Sequence, residues 1–97
     1  MIDMKLPHTM ATHKVLQTLD SGAQSLVLKE VFGQCSRFDA ALWQAIELAD
    51  KDNLVLLRKA YPFHVAAWDH YKYTQGWWDN LRHKIITASQ MEIVDPN

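Results

Sequence analysis

The middle of the chain alternates apolar and polar side chains with the period of an α-helix. Between residues 36 and 49 the apolar positions recur mainly at steps of three and four, which places them on one helical face. Ser36 stands at the N-cap position and Asp39 follows three residues later, a variant of the capping box. The sequence therefore predicts an amphipathic helix, and its expected inner positions are Phe38, Leu42, Ala45, Ile46 and Ala49.

Asp50 and Pro62 divide the sequence that follows into two further helices. Asp50 is a second N-cap before the apolar positions Leu54, Leu57 and Tyr61, although helix propensity also allows one helix to continue through Asp50. A proline inside a helix costs roughly 3 kcal/mol, whereas at the first helical position it is harmless. We therefore expect a helix to end near Tyr61 and the next to begin at Pro62. In that helix the expected inner residues are Val65, Ala66, Trp68 and Tyr71, and the expected outer residues are His64, Asp69 and Lys72.

Two more helices are predicted in the N-terminal third of the chain. Pro7 can open a helix that runs to about Asp20, and Ser21-Gly22 can end it and cap the next. Residues 23–34 include several β-branched and aromatic residues, but their apolar positions do not alternate strictly. A helix is therefore the first choice for this segment and a strand the second, with Gly33 near its C-terminal end.

The C-terminal third completes an all-α prediction. Thr74-Gln75-Gly76 is typical of a turn, and the apolar spacing after it predicts a last helix from Trp77 to about Ser89. Residues 1–6 are expected to form a loose arm, and residues 90–97 a tail that pairs as a short edge segment or frays. The predicted fold is a small single-domain all-α bundle of about four to six short helices.

Part of the central stretch is similar to a known group of proteins. It reads Ala45-Ile46-x-Leu48-Ala49-Asp50-x-x-Asn53-Leu54-x-x-Leu57 and then Tyr61-Pro62-x-x-Val65-x-x-Trp68. This pattern, A-D-x-x-N-L-x-x-L followed by an aromatic–proline pair, resembles short uncharacterised helical proteins encoded by phages and prophages. The similarity covers about 30 residues. It implies a small accessory protein of a mobile element, and it transfers no functional residue to this chain.

Composition and charge narrow the classes of function. The 97 residues are 48% hydrophobic and 22% charged, which is typical of one globular domain, and three glycines with three prolines disfavour an all-β fold. The formal net charge is −1, without the basic excess of a dedicated duplex-binding protein, and it permits self-association. No secretory signal or membrane-length apolar run is present, and Cys35 has no second cysteine to pair with. We therefore expect a cytoplasmic protein that does not bind membranes.

No catalytic or metal-binding motif is present in the sequence. The five histidines include no pair three or four residues apart, so no two share a helical face as metal ligands do. Glu47 with Asp50, and Asp69 with His70, are candidate acid–base pairs, but surface exposure and helix capping explain them more simply. No phosphate-binding glycine loop or nucleophile elbow occurs. The prediction is a non-enzymatic protein without metal or cofactor.

Aromatic and basic side chains concentrate near the C-terminal end. Four tryptophans exceed what so small a core readily encloses, and adjacent Trp77 and Trp78 point about 100° apart on a helix. Packing into the core is the simplest explanation for these rings, and an exposed recognition surface is the alternative. The candidate binding residues are Trp68, Tyr71, Lys72, Tyr73, Trp77, Trp78, Arg82 and Lys84.

Three functions compete for this surface. Tryptophan, tyrosine and arginine are enriched at interface hot spots, which favours a protein partner from the host or the phage, with inhibition of a host system as one form of it. The same rings and cations suit stacking on single-stranded nucleic acid or a nucleotide, which is the second choice because the chain lacks a basic excess. An enzyme ranks third, since such a site would need a titratable pair in a concave pocket.

Overall fold

In a computed structural model the chain folds into six α-helices within the part that the structure describes, residues 9–94, with side chains described to residue 90. A short π-helical turn, Leu28–Phe32, follows the second helix directly, and residues 9–94 contain no strand. This confirms the all-α prediction. The α-helices are α1 (Met10–Leu16), α2 (Ser21–Val27), α3 (Arg37–Leu48), α4 (Lys51–Ala60), α5 (Pro62–Tyr73) and α6 (Trp77–Val94).

Side-chain caps fix most of the helix starts. Ser36 Oγ accepts from the backbone N–H of Asp39 at 3.0 Å, and Asp50 Oδ1 accepts from that of Asn53 at 2.8 Å. Pro62 occupies the first position of α5. The predicted boundaries at Ser36, Asp50 and Pro62 are therefore confirmed, and the alternative of one helix continuing through Asp50 is wrong.

The predicted end of the first helix near Asp20 and the predicted cap of the second helix at Ser21-Gly22 are wrong. Helix α1 ends at Leu16 rather than near Asp20, because the Asp20 carboxylate accepts from the backbone N–H of Ala23 at 2.8 Å and starts α2 there. Helix α1 begins after Thr9, which shares a reciprocal capping box with Thr12, and Pro7 lies outside the described residues. The predicted arm, 1–6, lies outside them as well.

The last helix is longer than predicted. Helix α6 continues past Ser89 to Val94, so residues 90–94 of the predicted tail are helical. No glycine or proline interrupts residues 77–94, and the next proline stands at position 96. Residues 95–97 lie outside the described part of the chain.

Residues 23–34 are helical, which was the first choice from the sequence. Helix α2 widens into the π-helical turn, and the backbone N–H of Gln34 bonds to the carbonyl of Leu28 at 2.9 Å. Gly33 ends the segment with φ +66°, a left-handed conformation that glycine adopts without a Cβ clash.

Two hydrophobic clusters lie side by side in an elongated molecule of 52 × 25 × 24 Å. One joins α1, the last residue of α2, the π-helical turn and α6, and the other joins α2, α3 and α5. Trp77 and Trp78 pack against both clusters. The first cluster contains Leu16, Val27, Val31, Phe32, Leu81 and Ile85, and the second contains Leu26, Leu42, Trp43, Ile46, Val65 and Ala67.

The inner face of α3 differs from its prediction. Leu42 and Ile46 are buried as expected, but Phe38 is 60% exposed and Ala45 is also on the surface. Trp43, which the helical spacing did not place among the inner positions, is only 2% exposed because its ring reaches back to α2. The core face of α3 is therefore rotated toward Trp43.

Helix α5 also departs from the predicted inner set. Val65 is fully buried as expected, whereas Ala67 is buried in place of the half-buried Ala66. His64, expected to face water, retains only 12% of its side-chain exposure because it packs against the Trp43 ring. Helix α5 crosses α2 so closely that a Cβ on Gly22 would lie 1.9 Å from the Phe63 carbonyl oxygen.

Within residues 9–94, no helix combines the length and the apolar character that crossing a bilayer requires.

Candidate binding surface at the turn between α5 and α6

A shallow groove of about 380 Å³ lies where α5 turns into α6. Helix α5 ends as Thr74 donates its backbone N–H to the His70 carbonyl at 3.0 Å, and Trp77 then donates to the Thr74 carbonyl at 3.1 Å. Gly76 makes this tight reversal possible because its φ is +83°. We refer to this depression as the α5–α6 groove, and its lining residues are Tyr71, Lys72, Tyr73, Thr74, Gln75, Gly76, Trp78 and Asp79.

Aromatic rings continue from the groove along α5. The Trp68 and Tyr71 rings stack at a centroid distance of 5.8 Å, and Trp78 meets Tyr71 edge to face at 5.4 Å. Lys72 places its Nζ 5.3 Å from the centroid of the Trp68 ring, within cation–π range. These contacts hold the rings in fixed orientations, which lowers the entropy that they would lose when a partner binds.

The tryptophans of this region also support the fold. Trp68 packs against the second cluster and Trp77 against both, and all three tryptophans of α5 and α6 remain half-buried. His70 stacks on Trp77 at 5.3 Å and bonds to Thr74 Oγ1 at 2.9 Å. Tyr73, by contrast, is 79% exposed. Core packing therefore accounts for part of each indole, and the rest of each side chain remains at the surface.

The structure divides the eight residues predicted from the sequence among three places. Tyr71, Lys72, Tyr73 and Trp78 line the α5–α6 groove, and Trp68 adjoins it through Tyr71. Trp77 and Lys84 line a different cleft of about 350 Å³, which α6 forms with the segment that joins α1 and α2. Arg82 is exposed and lies two positions before Lys84, about 200° around the helix. The predicted cations therefore do not form one continuous basic surface.

A buried polar cluster, which no local spacing revealed, links three helices. Ser25 of α2 donates its hydroxyl to Asp39 Oδ2 at 2.6 Å, and it accepts from Trp43 Nε1 at 2.9 Å. His64 of α5 places Nε2 3.6 Å from the same carboxylate oxygen. That ring nitrogen is buried and makes no hydrogen bond within the described structure. The Ser25 hydroxyl joins α2 to α3, and the Asp39 carboxylate brings α3 next to His64 of α5.

This serine, aspartate and histidine do not have the geometry of a catalytic triad. In a triad the histidine lies between the nucleophile and the acid, and takes the serine proton. Here the carboxylate of Asp39 accepts the hydrogen bond from Ser25 directly, and Ser25 is 4% exposed. The hydroxyl is therefore neither activated by His64 nor accessible to a substrate, and the cluster serves the packing of the fold.

The acid–base pairs considered from the sequence have separate structural partners. Asp50 caps α4, and Asp69 pairs with Arg58 at 2.8 Å across α4 and α5. His70 bonds to Thr74 instead of to its neighbour. Across the described residues, no group of three or more histidine, cysteine, aspartate or glutamate side chains is placed to hold a metal ion.

A second, apolar groove of about 440 Å³ separates α3 from α4. Its walls include Leu48 and Leu56, which are 74% and 61% exposed. The sequence could have indicated exposed aliphatic side chains here, because Leu54 to Leu57 is an unbroken aliphatic run that a single helical face cannot bury. We refer to this depression as the α3–α4 groove, and its lining residues are Ala45, Leu48, Ala49, Asn53, Leu56 and Leu57.

Comparison with known proteins identifies no relative at any of three levels: no family, no curated protein and no solved structure matches this chain.

Proposed function

We propose that this chain is a non-enzymatic binding protein that recognises another protein through the α5–α6 groove. One observation carries the proposal: Tyr71, Tyr73 and Trp78 are presented together on one shallow surface. Tyrosine and tryptophan combine a large apolar face with a polar tip and lose little side-chain entropy on binding, which is why they dominate interface hot spots.

The charges of the groove favour a polypeptide partner over a nucleic acid. Lys72 and Asp79 give the groove one charge of each sign, and a carboxylate beside the site repels phosphate. Lys84 and Arg82 lie on other sides of α6 and cannot extend a basic track along a nucleic-acid strand. Single-stranded nucleic acid or a nucleotide remains the alternative, supported by the stacked Trp68–Tyr71 pair with Lys72 above Trp68.

The similarity of the central stretch to phage-encoded proteins supplies the setting of this proposal. In that setting the partner is a cytoplasmic host or phage protein, and occupation of a host complex would inhibit it. The free thiol of Cys35 is compatible with a reducing compartment.

Tyr73 is the residue that tests the proposed surface without disturbing the fold. Because its side chain is 79% exposed, Tyr73→Ala is expected to leave the helical circular dichroism and the melting temperature unchanged. In parallel affinity captures from host cells, we expect proteins retained by the wild type to be lost with Tyr73→Ala. Phe63→Ala is the matched control, since Phe63 is also an exposed ring on α5.

Two outcomes would contradict the proposal. If Tyr73→Ala and Phe63→Ala retain the same proteins as the wild type, the α5–α6 groove is not the binding surface. If single-stranded oligonucleotide quenches the tryptophan fluorescence in a salt-dependent way, and Tyr73→Ala abolishes that quenching, the nucleic-acid alternative replaces the protein partner. Because Trp43 is buried, we expect its share of the emission to persist when the oligonucleotide binds, so the quenching would be incomplete.

A further inference from the structure

Helix α4 has two apolar faces, and the chain covers only one of them. Leu54, Leu57 and Tyr61 pack against the second cluster and are half-buried. Val55 and Leu56 lie on the other side of the helix and are 50% and 61% exposed. Helix α4 contains no fully buried residue. A ten-residue helix has little stability of its own, so a second packing surface would add to it.

Opposite charges bracket the exposed face. Asp52 and Lys59 are seven residues apart, which places them on one side of the helix about 10 Å from each other along its axis. Val55 and Leu56 stand between them on the same side. Both charged residues are exposed, and neither pairs with another charged residue of the described chain. We refer to Asp52, Val55, Leu56 and Lys59 as the outer face of α4.

We propose that the outer face of α4 binds the outer face of a second copy of this chain in an antiparallel, two-fold arrangement. The midpoint between Asp52 and Lys59 falls between Val55 and Leu56. A two-fold axis at that point therefore brings each Asp52 opposite Lys59 of the other copy and packs the four aliphatic side chains at the centre. This charge complementarity selects a second copy as the occupant, because the face is complementary to itself.

The antiparallel orientation follows from the same charges. In a parallel pair Asp52 would meet Asp52 and Lys59 would meet Lys59, so both ends would repel. The formal net charge of −1 leaves little overall repulsion between copies. This inference does not depend on the function proposed for the α5–α6 groove, which is formed by other helices.

The expected dimer is weak. Helix α4 is about 15 Å long, so the paired faces are smaller than the roughly 800 Å² per partner of a standard interface. We therefore expect dissociation in the range of about 10 µM to about 1 mM. Leu48 and the α3–α4 groove adjoin Leu56 and would enlarge the apolar contact at its edge.

Sedimentation velocity of the full chain across that concentration range tests the proposal. The mass is expected to rise from 11.2 kDa to twice that value as the concentration increases. Asp52→Lys and Lys59→Asp should each weaken dimerisation by about tenfold, because each turns two attractive contacts into repulsive ones. The double variant Asp52→Lys with Lys59→Asp should restore it, since both contacts are again between opposite charges.

The double variant separates this proposal from a purely intramolecular role. Asp52 in the first turn and Lys59 in the last turn also complement the dipole of α4. If that were their only role, the double variant would associate no better than either single variant, and the proposal would be overturned. Helical circular dichroism of each variant reports whether α4 still forms.

A matched pair of apolar variants tests the centre of the face. Leu56→Glu should abolish the dimer, and Val55→Glu should do the same through the neighbouring position. Met10→Glu is the control, because Met10 is 64% exposed on α1, outside the proposed contact. A wild type that stays at 11.2 kDa throughout, a mass that grows beyond two copies, or equal loss with Met10→Glu would each refute the two-fold pairing.

Discussion

Replacement of Gly22 by alanine tests the packing that places α2 on α5. An added Cβ would lie 1.9 Å from the Phe63 carbonyl oxygen, 2.2 Å from the Phe63 carbonyl carbon and 2.6 Å from the His64 backbone nitrogen. All three are backbone atoms, so no side-chain rotation can relieve the contact. The two helices would have to separate by about 1.5 Å to reach ordinary van der Waals distance.

The expected change in the free energy of unfolding follows from two opposing effects. Overpacking of a tight contact costs about 1–3 kcal/mol, and the rigid backbone places this case near the upper end. Alanine gains about 1 kcal/mol over glycine in helix propensity, which offsets part of that cost. We expect Gly22→Ala to lower the free energy of unfolding by about 2 kcal/mol, and the melting temperature by roughly 8–16 °C for a domain of this size.

Thermal and urea denaturation followed by circular dichroism measures this change. Ser21→Ala is the matched control, because Ser21 is exposed in the same helix and should change the stability by less than about 0.5 kcal/mol. If Gly22→Ala is as stable as the wild type, or gains the roughly 1 kcal/mol that propensity alone predicts, the close crossing of α2 and α5 is refuted.

Two further substitutions contrast a buried polar contact with an exposed one. Ser25→Ala should destabilise the fold by about 2–4 kcal/mol, because it removes the hydrogen bond to the Asp39 carboxylate and the one from Trp43 Nε1, and leaves both partners unsatisfied. Urea denaturation would measure this loss. A change below about 1 kcal/mol would contradict the hydrogen-bond network. Arg58→Ala should cost no more than about 1 kcal/mol, since the pair with Asp69 is exposed at 48% and 37%; a thermal melt showing a larger loss would mean that this ion pair stabilises α4 on α5.

The sequence determined the class of fold and most of the helix boundaries because those depend on local physics. Ser36 and Asp50 could be recognised as caps since a short polar side chain can satisfy a free backbone N–H only at a helix start. Pro62 could be placed for the same kind of reason, as its ring is tolerated only in the first turn. At the junction of the first two helices, Ser21-Gly22 was taken as the cap, whereas the Asp20 side chain caps α2, so the boundary was misplaced.

Only some of the candidate binding residues come together in the structure. Tyr71, Lys72, Tyr73 and Trp78 share a groove because they flank one short turn, so their proximity in space follows from their closeness along the chain. Arg82 and Lys84 had been grouped with them by composition, but 200° of helical rotation separates the two.

Only the tertiary structure decided which faces meet across the fold. Trp43 is buried because Ser25, eighteen residues away, accepts its N–H, and His64 is enclosed because α5 carries it against the same ring. Gly22 appears in the sequence as a helix end, yet its lack of a side chain is what lets α5 approach α2. These contacts join segments that are distant in the sequence and depend on how the helices cross. The hydrophobic periodicity of a single helix carries no information about that crossing geometry.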